Sequence, residues 1–323
     1  MKSWFHDPES DTRLILKDVP IPDPGSGEIL VQVRAAALNR GEFLPKTNRI
    51  AGQKSQAAGI ECAGEIVKLG PGVNNLSFGD PVMGRAKMAF SEYALLRTGD
   101  VSSKPDLYSW EEAAAASITY QVSYEMLWWH EKLRQNDWLL VTGVSSGVGV
   151  AAFQLGKYLK ANVIGTSRSK EKLDQLSNLG LDLGVSGYGP DFVDAVLQIT
   201  AQKGVNLVVN NVGGSVFGAC QMVLAYQGRV ATVGHLDGHV SASFDVHLQH
   251  AKRQCFFGVS NKMRSADEVA ATVNGYRQEV LPAMCAGEIR PAISECYSFR
   301  ELPEAVSFMK TDRQLGKIII SIP

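Results

Sequence analysis

Two rhythms of hydrophobic and polar residues divide the chain. Up to about residue 105, short runs rich in valine and isoleucine are bounded by glycine, proline and asparagine. This pattern is typical of β-strands. From about residue 137, apolar strand-like runs alternate with amphipathic segments of helix length. Such alternation predicts a parallel sheet with helices on both faces.

The second rhythm predicts six strands and four helices. The strands are expected at 137–143, 161–167, 181–186, 205–212, 228–234 and 255–260. The helices are expected at 147–159, 170–180, 191–202 and 215–226. Six strands fit two mononucleotide-binding halves, which together form the doubly wound dinucleotide fold. The first helix signal comes earlier, where Ser109 and Glu112 form a capping box.

The tail departs from this alternation and predicts a helix with a proline kink, followed by two strands. We expect it to return to the β-rich part. The prediction is therefore an α/β protein with a Rossmann cofactor domain at 123–259. A discontinuous β-rich domain would comprise 1–122 and 260–323.

Composition and charge exclude several classes of protein. The 323 residues include 45% hydrophobic residues, enough for a sizeable core, and the formal net charge of −1 gives no support to nucleic-acid binding. No segment approaches a membrane span, and the first residues lack the apolar region of a signal peptide, so we expect a cytoplasmic protein. The five cysteines have no C-x-x-C spacing, which disfavours a structural zinc lobe.

A glycine-rich turn, "LLVTGVSSGVG", lies between the first strand and the first helix of the α/β part. Glycines let the backbone turn sharply and approach a pyrophosphate, and a helix N-terminus favours an anion. We therefore expect residues 143–149 to bind the phosphates of a dinucleotide.

The end of the second strand indicates which dinucleotide. NAD-binding folds place an acidic residue here for the ribose hydroxyls. This chain has Ser167 and Arg168 instead, followed by Lys170 and Lys172. These side chains would bind a 2′-phosphate that an aspartate would repel, so the sequence predicts NADPH.

The turn also fits the T-G-x-x-x-G-x-G motif of short-chain dehydrogenases/reductases. In those proteins the Rossmann fold comes first, whereas about 135 residues precede the turn here. They also carry a Tyr-x-x-x-Lys pair, and none of the nine tyrosines has a lysine four positions later. That interpretation fails.

The chain resembles the medium-chain dehydrogenases/reductases, specifically their zinc-free quinone oxidoreductase (zeta-crystallin-like) branch. The resemblance runs nearly end to end and rests on "PGSGEILVQVRAAALNRGEFL", "GIECAGEIVKLGPGV", "FGDPVMG", "FSEYALL", "GVSSGVGVAAFQLGK" and "GKIIISIP". It implies a GroES-like catalytic domain beside the Rossmann domain. It also implies NADPH-dependent reduction of a quinone or an α,β-unsaturated carbonyl.

The resemblance also implies roles for single residues. Asn39 and Thr119 would position the nicotinamide. The remaining cofactor contacts would be Ser146, Gly147, Val148 and Gly149 at the pyrophosphate; Ser167, Arg168, Lys172 and Tyr188 at the 2′-phosphate; and Asn211, Val233, Gly234, Phe257, Gly258 and Lys317 towards the nicotinamide. His235 is a further candidate cofactor contact, from its position after the fifth strand and not from the resemblance. Ser146 stands where the family usually has glycine. We expect Phe43 and Arg40 to line the substrate pocket.

The zinc ligands of the metal-dependent relatives are missing. Those relatives have cysteine where this chain has Asn39, and Gly-His-Glu where it has Gly59-Ile60-Glu61. Zn²⁺ prefers thiolate, imidazole or carboxylate ligands, so catalytic zinc is expected to be lost. The retained Glu61 is expected to act as a structural hydrogen-bonding partner.

One histidine cluster has no obvious family role. Residues 235–250 hold His235, His239, His247 and His250. His235 directly follows the fifth strand, so it is a candidate donor to a developing enolate. A bound metal and an exposed polar loop are the alternatives.

These observations predict a zinc-independent, NADPH-dependent quinone or enone reductase. Relatives pair as dimers through the edge strand at 255–260, and a homodimer is expected here. Three alternatives stay open: an adaptor or structural protein that keeps the cofactor, an RNA-binding relative, and a metal-free alcohol dehydrogenase. The substrate, the proton donor and one- versus two-electron chemistry leave no signature in the sequence.

Overall fold

The structure is a computed structural model that describes residues 1–7, 14–43, 55–129, 131–187 and 191–323. The chain divides into two compact units. The first comprises Met1–Ile118 and Ser265–Pro323, and the second comprises Thr119–Arg264. The predicted domain bounds, a few residues away at each junction, stay a prediction.

The described residues form strands and helices along the whole chain. The strands are β1 (Lys2–His6), β2 (Leu14–Asp18), β3 (Glu28–Ala37), β4 (Gln56–Ala57), β5 (Glu61–Leu69), β6 (Pro81–Lys87), β7 (Tyr93–Ser103), β8 (Trp138–Thr142), β9 (Asn162–Ser167), β10 (Leu183–Ser186), β11 (Val205–Asn210), β12 (Leu224–Thr232), β13 (Cys255–Gly258), β14 (Ile293–Ser298) and β15 (Lys317–Ser321). The helices are α1 (Trp110–Ala115), α2 (Ile118–Trp128), α3 (Gly147–Tyr158), α4 (Lys170–Asn178), α5 (Phe192–Ile199), α6 (Phe217–Met222), α7 (Val246–Lys252), α8 (Ala266–Glu279), α9 (Leu281–Cys285) and α10 (Leu302–Lys310).

The first unit is built on a sheet in the order β14-β15-β3-β5-β6-β7. Because β3 also pairs with β7, strands β3, β5, β6 and β7 close on themselves. Alternate residues of β3, such as Ile29, Val31 and Val33, are fully buried in the core of this unit. The tail joins the same sheet, since β15 pairs with β3.

Helix α1 begins at the predicted capping box. Glu112 N donates to Ser109 Oγ at 3.2 Å, and Ser109 N donates to the Glu112 carboxylate at 2.9 Å. The proline of the tail separates α8 from α9, as the predicted kink requires, because Pro282 lies in the first turn of α9.

The second unit is a six-stranded parallel sheet in the order β10-β9-β8-β11-β12-β13. The order reverses between β8 and β11, which is the point where doubly wound folds bind their ligands. This confirms the predicted α/β fold with a Rossmann-like sheet and a separate strand-rich unit.

One predicted helix is too long. The pattern predicts a helix over 215–226, whereas α6 ends at Met222 and β12 begins at Leu224. Val205 N donates to Val223 O at 2.8 Å, and Leu224 pairs in register with Val205. The backbone after Met222 is therefore hydrogen-bonded to β11 rather than to the helix.

Candidate cofactor and active site

The β8–α3 turn is shaped by two glycines that no other residue could replace without strain. Gly143 follows β8 with φ +62°, a left-handed conformation that favours glycine. A Cβ on Gly149 would lie 2.5 Å from Gly143 O and 2.7 Å from Val144 O. The first turn of α3 therefore packs directly on the end of β8.

Ser146 stabilises this turn through two hydrogen bonds of its hydroxyl group. Its hydroxyl donates to Gly143 O at 2.9 Å and accepts from Gly149 N at 3.1 Å, as the N-cap of α3. The next N–H groups, of Gly147 and Val148, have no partner inside a helix, by the geometry of its first turn. They lie at the positive end of the helix dipole, so they can bind an anion.

The end of β9 lies beside this turn. Ser167 is buried, and its Oγ is 3.4 Å from Ser145 Oγ in the turn. Arg168 is exposed, and Ser169 caps α4 by accepting from Lys172 N at 3.3 Å. The structure thus brings Ser167, Arg168 and Lys172 to one strand end. Tyr188, the fourth predicted contact to the 2′-phosphate, lies outside the described residues.

A buried network fixes the carboxyl ends of β8 and β11. Thr142 Oγ1 donates to Asn210 Oδ1 at 3.0 Å, and Asn211 Nδ2 donates to Thr142 O at 2.9 Å. Asn210 Nδ2 in turn donates to Gly213 O at 3.0 Å. We predicted Asn211 here and missed Thr142 and Asn210. Their signal was present, because each is a polar residue at the end of an apolar strand.

The loop after β12 is held by Asp237. This carboxylate accepts from Ser215 N at 2.9 Å and from His239 N at 2.8 Å. Burial alone would raise the pKa of Asp237, but the hydrogen bonds from Ser215 and His239 outweigh it and lower that pKa. The charged carboxylate therefore stabilises the loop that carries Val233, Gly234 and His235.

The four histidines of this region are all exposed. Among the described residues, no three His, Cys, Asp or Glu side chains are grouped so that they could hold a metal ion. The metal alternative for this cluster therefore has no geometric support, and the role of His235 stays a prediction.

Other predicted contacts are packed within the second unit. The Phe257 ring meets the Trp129 ring edge-on, with 5.8 Å between centroids, and Thr119 is buried in the first turn of α2. Gly258 ends β13. Their predicted cofactor roles remain predictions.

The first unit contains a polar cluster of Asn39, Glu42, Glu61 and Lys317, here called the Asn39 cluster, in which Glu61 and Lys317 are buried and Asn39 and Glu42 are half-buried. Asn39 follows β3, while Glu61 and Lys317 begin β5 and β15. Because β3 pairs with both of these strands, the three side chains meet at one end of the sheet.

Lys317 donates to three acceptors in this cluster. Its Nζ lies 2.5 Å from Glu61 Oε1, 3.0 Å from Asn39 Oδ1 and 2.9 Å from Leu38 O. An ammonium group has three N–H bonds, so all of them are engaged. In this arrangement Lys317 holds Asn39 and Glu61 in place.

Glu61 is a structural hydrogen-bonding partner, as predicted. Its Oε1 also accepts from Asn39 Nδ2 at 2.9 Å, and its Oε2 accepts from Ile118 N at 2.8 Å. The side chain is fully buried, and each of its oxygens has a donor.

Glu42, which we did not predict, completes the cluster. Its Oε1 lies 3.4 Å from Asn39 Nδ2, and its Oε2 accepts from Gly59 N at 3.1 Å. Burial, followed by the nearby Glu61 charge, raises the pKa of Glu42 to about 8, although the hydrogen bonds from Asn39 and Gly59 and the Lys317 charge act to lower it. The sequence signal for Glu42 was an acidic residue three positions after Asn39. The structure places it at the end of the 3₁₀ turn Arg40–Glu42.

The two predicted pocket residues are engaged inside the first unit. The Arg40 guanidinium binds the Asp312 carboxylate and also donates to Met309 O at 3.1 Å. The Phe43 ring packs against His6, with 5.3 Å between centroids, and against Phe90, with 6.3 Å. Their place in a substrate pocket stays a prediction.

The residues at the zinc position do not fit zinc. The cluster offers an amide and carboxylates, without thiolate or imidazole, and a bound ion would face the ammonium of Lys317.

Two family models match the chain. Residues 25–109 match the alcohol dehydrogenase GroES-like domain, and residues 147–273 match the zinc-binding dehydrogenase domain. Together they cover more than half of the 323 residues. The chain belongs to the medium-chain dehydrogenase/reductase superfamily of oxidoreductases. Membership of this superfamily confirms the resemblance at that level.

Members of the superfamily with known structures share the whole fold. Mycobacterial Rv1454c, solved in complex with NADPH, aligns with a TM-score of 0.87 at 23% identity over 99% of both chains. The CurK enoyl reductase aligns with a TM-score of 0.85 at 21% identity, over 100% of this chain and 99% of its own. A quinone oxidoreductase of Pseudomonas syringae pv. Tomato DC3000 aligns with a TM-score of 0.86 at 22% identity over 99% of both chains.

Curated relatives in the superfamily are far longer than this chain. The spectinabilin polyketide synthase system protein NorB of Streptomyces orinoci is 28% identical over 299 residues. The alignment covers 92% of this chain but 13% of NorB, so the chain spans about an eighth of that relative. In the described part of the chain, no helix is long and apolar enough to cross a membrane.

Proposed function

We propose that the protein is a zinc-independent, NADPH-dependent reductase of quinones or α,β-unsaturated carbonyls. The observation that carries this proposal is the β8–α3 turn beside the basic end of β9. Paired with the Asn39 cluster in place of zinc ligands, it favours hydride transfer to an activated acceptor over alcohol oxidation.

The second unit supplies the groups that would hold NADPH. Gly147 N and Val148 N, at the N-terminus of α3, suit the pyrophosphate. Arg168 and Lys172 suit the 2′-phosphate, because charged hydrogen bonds to it contribute roughly 1.5–3 kcal/mol each. Rv1454c, which has the same fold, was solved with NADPH. When bound, NADPH supplies a hydride.

The first unit supplies polar groups for the acceptor. The Asn39 cluster places a half-buried amide where zinc-dependent relatives have a cysteine ligand. Without a metal to polarise an alcohol, the substrate must itself be activated, as a quinone or a conjugated carbonyl is. The similarity to the CurK enoyl reductase supports the alkene, and the similarity to the P. syringae protein supports the quinone.

The test is a panel of acceptors with each nucleotide. Oxidation of NADPH and NADH is followed by nicotinamide absorbance with benzoquinone, phenanthrenequinone, an enal and an enone. We expect turnover with NADPH well above NADH, and the best acceptor separates quinone from alkene reduction. Tight NADPH binding without turnover on any acceptor contradicts the proposal and favours an adaptor role.

A homodimer through β13 is proposed as well. This strand is the edge of the parallel sheet, and an exposed apolar edge is an aggregation hazard unless it is paired. Beside it, the Phe244 ring packs on Phe256 at 4.9 Å and on Phe217 at 6.4 Å. Light scattering that gives the mass of one chain contradicts this proposal.

A further inference from the structure

The Asn39 cluster contains two carboxyl groups and one ammonium group. Lys317 is hydrogen-bonded to Glu61 and not to Glu42. Glu61 is therefore neutralised by a direct ion pair, whereas among the described residues Glu42 is bonded only by the Asn39 amide and Gly59 N. A buried carboxylate without a paired cation is costly, so charge balance favours a proton on Glu42.

The hydrogen-bond pattern leaves that proton without an acceptor among the described residues. Both groups that bond to Glu42 are N–H donors, at 3.4 and 3.1 Å. Asn39 cannot turn its oxygen towards Glu42, because Asn39 Oδ1 accepts from Lys317 at 3.0 Å. The O–H of a neutral Glu42 must therefore point away from Asn39 and Gly59. Its carboxyl group is largely buried, but Glu42 as a residue keeps some exposure, unlike the fully buried Glu61.

We infer that Glu42 is the acid of this reductase, the group that gives a proton to the substrate after hydride transfer. The inference rests on the proposed function. Hydride addition to an enone leaves an enolate with one negative charge. The Glu42 O–H bond breaks, a C–H bond forms at the α-carbon, and a neutral ketone and a Glu42 carboxylate result. Water restores the proton to Glu42 before the next turnover.

The surroundings of Glu42 keep its carboxyl group protonated at neutral pH. Burial and the Glu61 charge raise its pKa to about 8. A general acid works best when its pKa lies near the operating pH. Glu61 cannot serve instead, because it is fully buried and its carboxylate is paired with the Lys317 ammonium.

The test compares the full-length wild type with Glu42→Gln and Glu42→Asp. Glu304→Gln is the matched control, since Glu304 is an exposed glutamate on α10. Infrared difference spectra of the ligand-free protein between neutral and alkaline pH come first. We expect a protonated-carboxyl C=O band that titrates in the wild type and in Glu304→Gln and is missing in Glu42→Gln. Persistence of the band in Glu42→Gln overturns the inference.

Turnover then tests the role of the acid. With NADPH and an enone, we expect kcat of Glu42→Gln to fall about 10²-fold, and the alkaline limb of its pH profile to vanish. With a quinone, the kcat of Glu42→Gln should fall less, because the oxygen of the reduced quinone takes a proton from water faster than a carbon atom does. Glu42→Asp should keep a titrating pH profile.

The two proposals fail in different ways. Wild-type protein that oxidises NADPH with neither acceptor overturns the proposed function. Wild-type turnover that Glu42→Gln leaves unchanged, in rate and in pH profile, overturns only the role of Glu42. Circular dichroism and NADPH affinity establish that the variants are folded.

Discussion

Replacing Lys317 by methionine should destabilise the protein strongly. Lys317 is 5% exposed and Glu61 is 0% exposed, so the ion pair between them is buried. Removing one partner of a buried pair costs about 3–5 kcal/mol, because the remaining charge is left without compensation. Lys317→Met also leaves the Glu61 carboxylate buried beside a second carboxyl group, that of Glu42, with no cation among the described residues bonded to either. We therefore expect a loss at the upper end of this range near neutral pH.

Urea unfolding followed by circular dichroism measures this loss. Two compact units need not unfold together, so the urea curve can contain two transitions. The free energy of unfolding is compared for the transition whose midpoint the variant shifts. Lys310→Met, at the exposed end of α10, is the control and should stay within about 0.5 kcal/mol of the wild type. The double variant Lys317→Met/Glu61→Gln should recover part of the loss, because no buried charge then lacks its partner.

A small effect would refute the reasoning. If Lys317→Met costs less than about 1 kcal/mol, the value of an exposed ion pair, water must reach the cluster. If the double variant is less stable than either single variant, the hydrogen bonds of Glu61 matter more than its charge.

Three further predictions concern Glu42, Gly149 and Arg168. Because the pKa of folded Glu42 is raised, the folded protein holds a proton that the unfolded chain releases, so the free energy of unfolding should fall as pH rises from about 4.5 to about 8 and then level off. At about 1.4 kcal/mol per pKa unit the fall is roughly 3–5 kcal/mol, and the Glu42→Gln variant should not show this pH dependence. Gly149→Ala should lower the free energy of unfolding by about 1–3 kcal/mol and weaken NADPH binding, because the new Cβ would meet the Gly143 carbonyl. The control is Gly218→Ala in α6, where the nearest atom to a new Cβ is 3.9 Å away; it should keep both its stability and its affinity for NADPH. Arg168→Asp should shift the ratio of kcat/KM for NADPH over NADH by about 10²-fold towards NADH, and an unchanged ratio would contradict the 2′-phosphate assignment.

Local patterns predicted the cofactor half of the molecule well. The β8–α3 turn, the basic end of β9 and the six parallel strands are each encoded by neighbouring residues. The capping box at Ser109 is likewise contained in four consecutive residues. The predicted end of α6 was wrong because the apolar stretch after Met222 suits a helix as well as a strand. Only its pairing with β11 makes it a strand.

The Asn39 cluster could not be predicted in the same way. Lys317 Nζ bonds to Glu61 across 256 residues of chain and to Asn39 across 278. Which residues meet there depends on the register of β3 with β5 and β15, and a shift by one residue would turn these side chains to the other face. The sequence shows that Asn39 and Ile60 stand where zinc-dependent relatives have ligands, but not that the Lys317 ammonium is bonded to Asn39.

The charge balance of this cluster bears on the proposed chemistry. Zn²⁺ carries two positive charges and polarises its substrate through an open coordination position. Lys317 carries one charge, and its three N–H bonds are already directed at Leu38, Asn39 and Glu61, so it has no position left for a substrate. With two carboxyl groups around a single cation, the cluster is neutral only when one carboxyl group keeps its proton. An ammonium group in such a cluster supplies no Lewis acidity, and the neutral cluster stores a proton. A reductase needs one proton for every hydride, whereas an alcohol dehydrogenase working in the oxidative direction must release one, so a stored proton suits the proposed reductase.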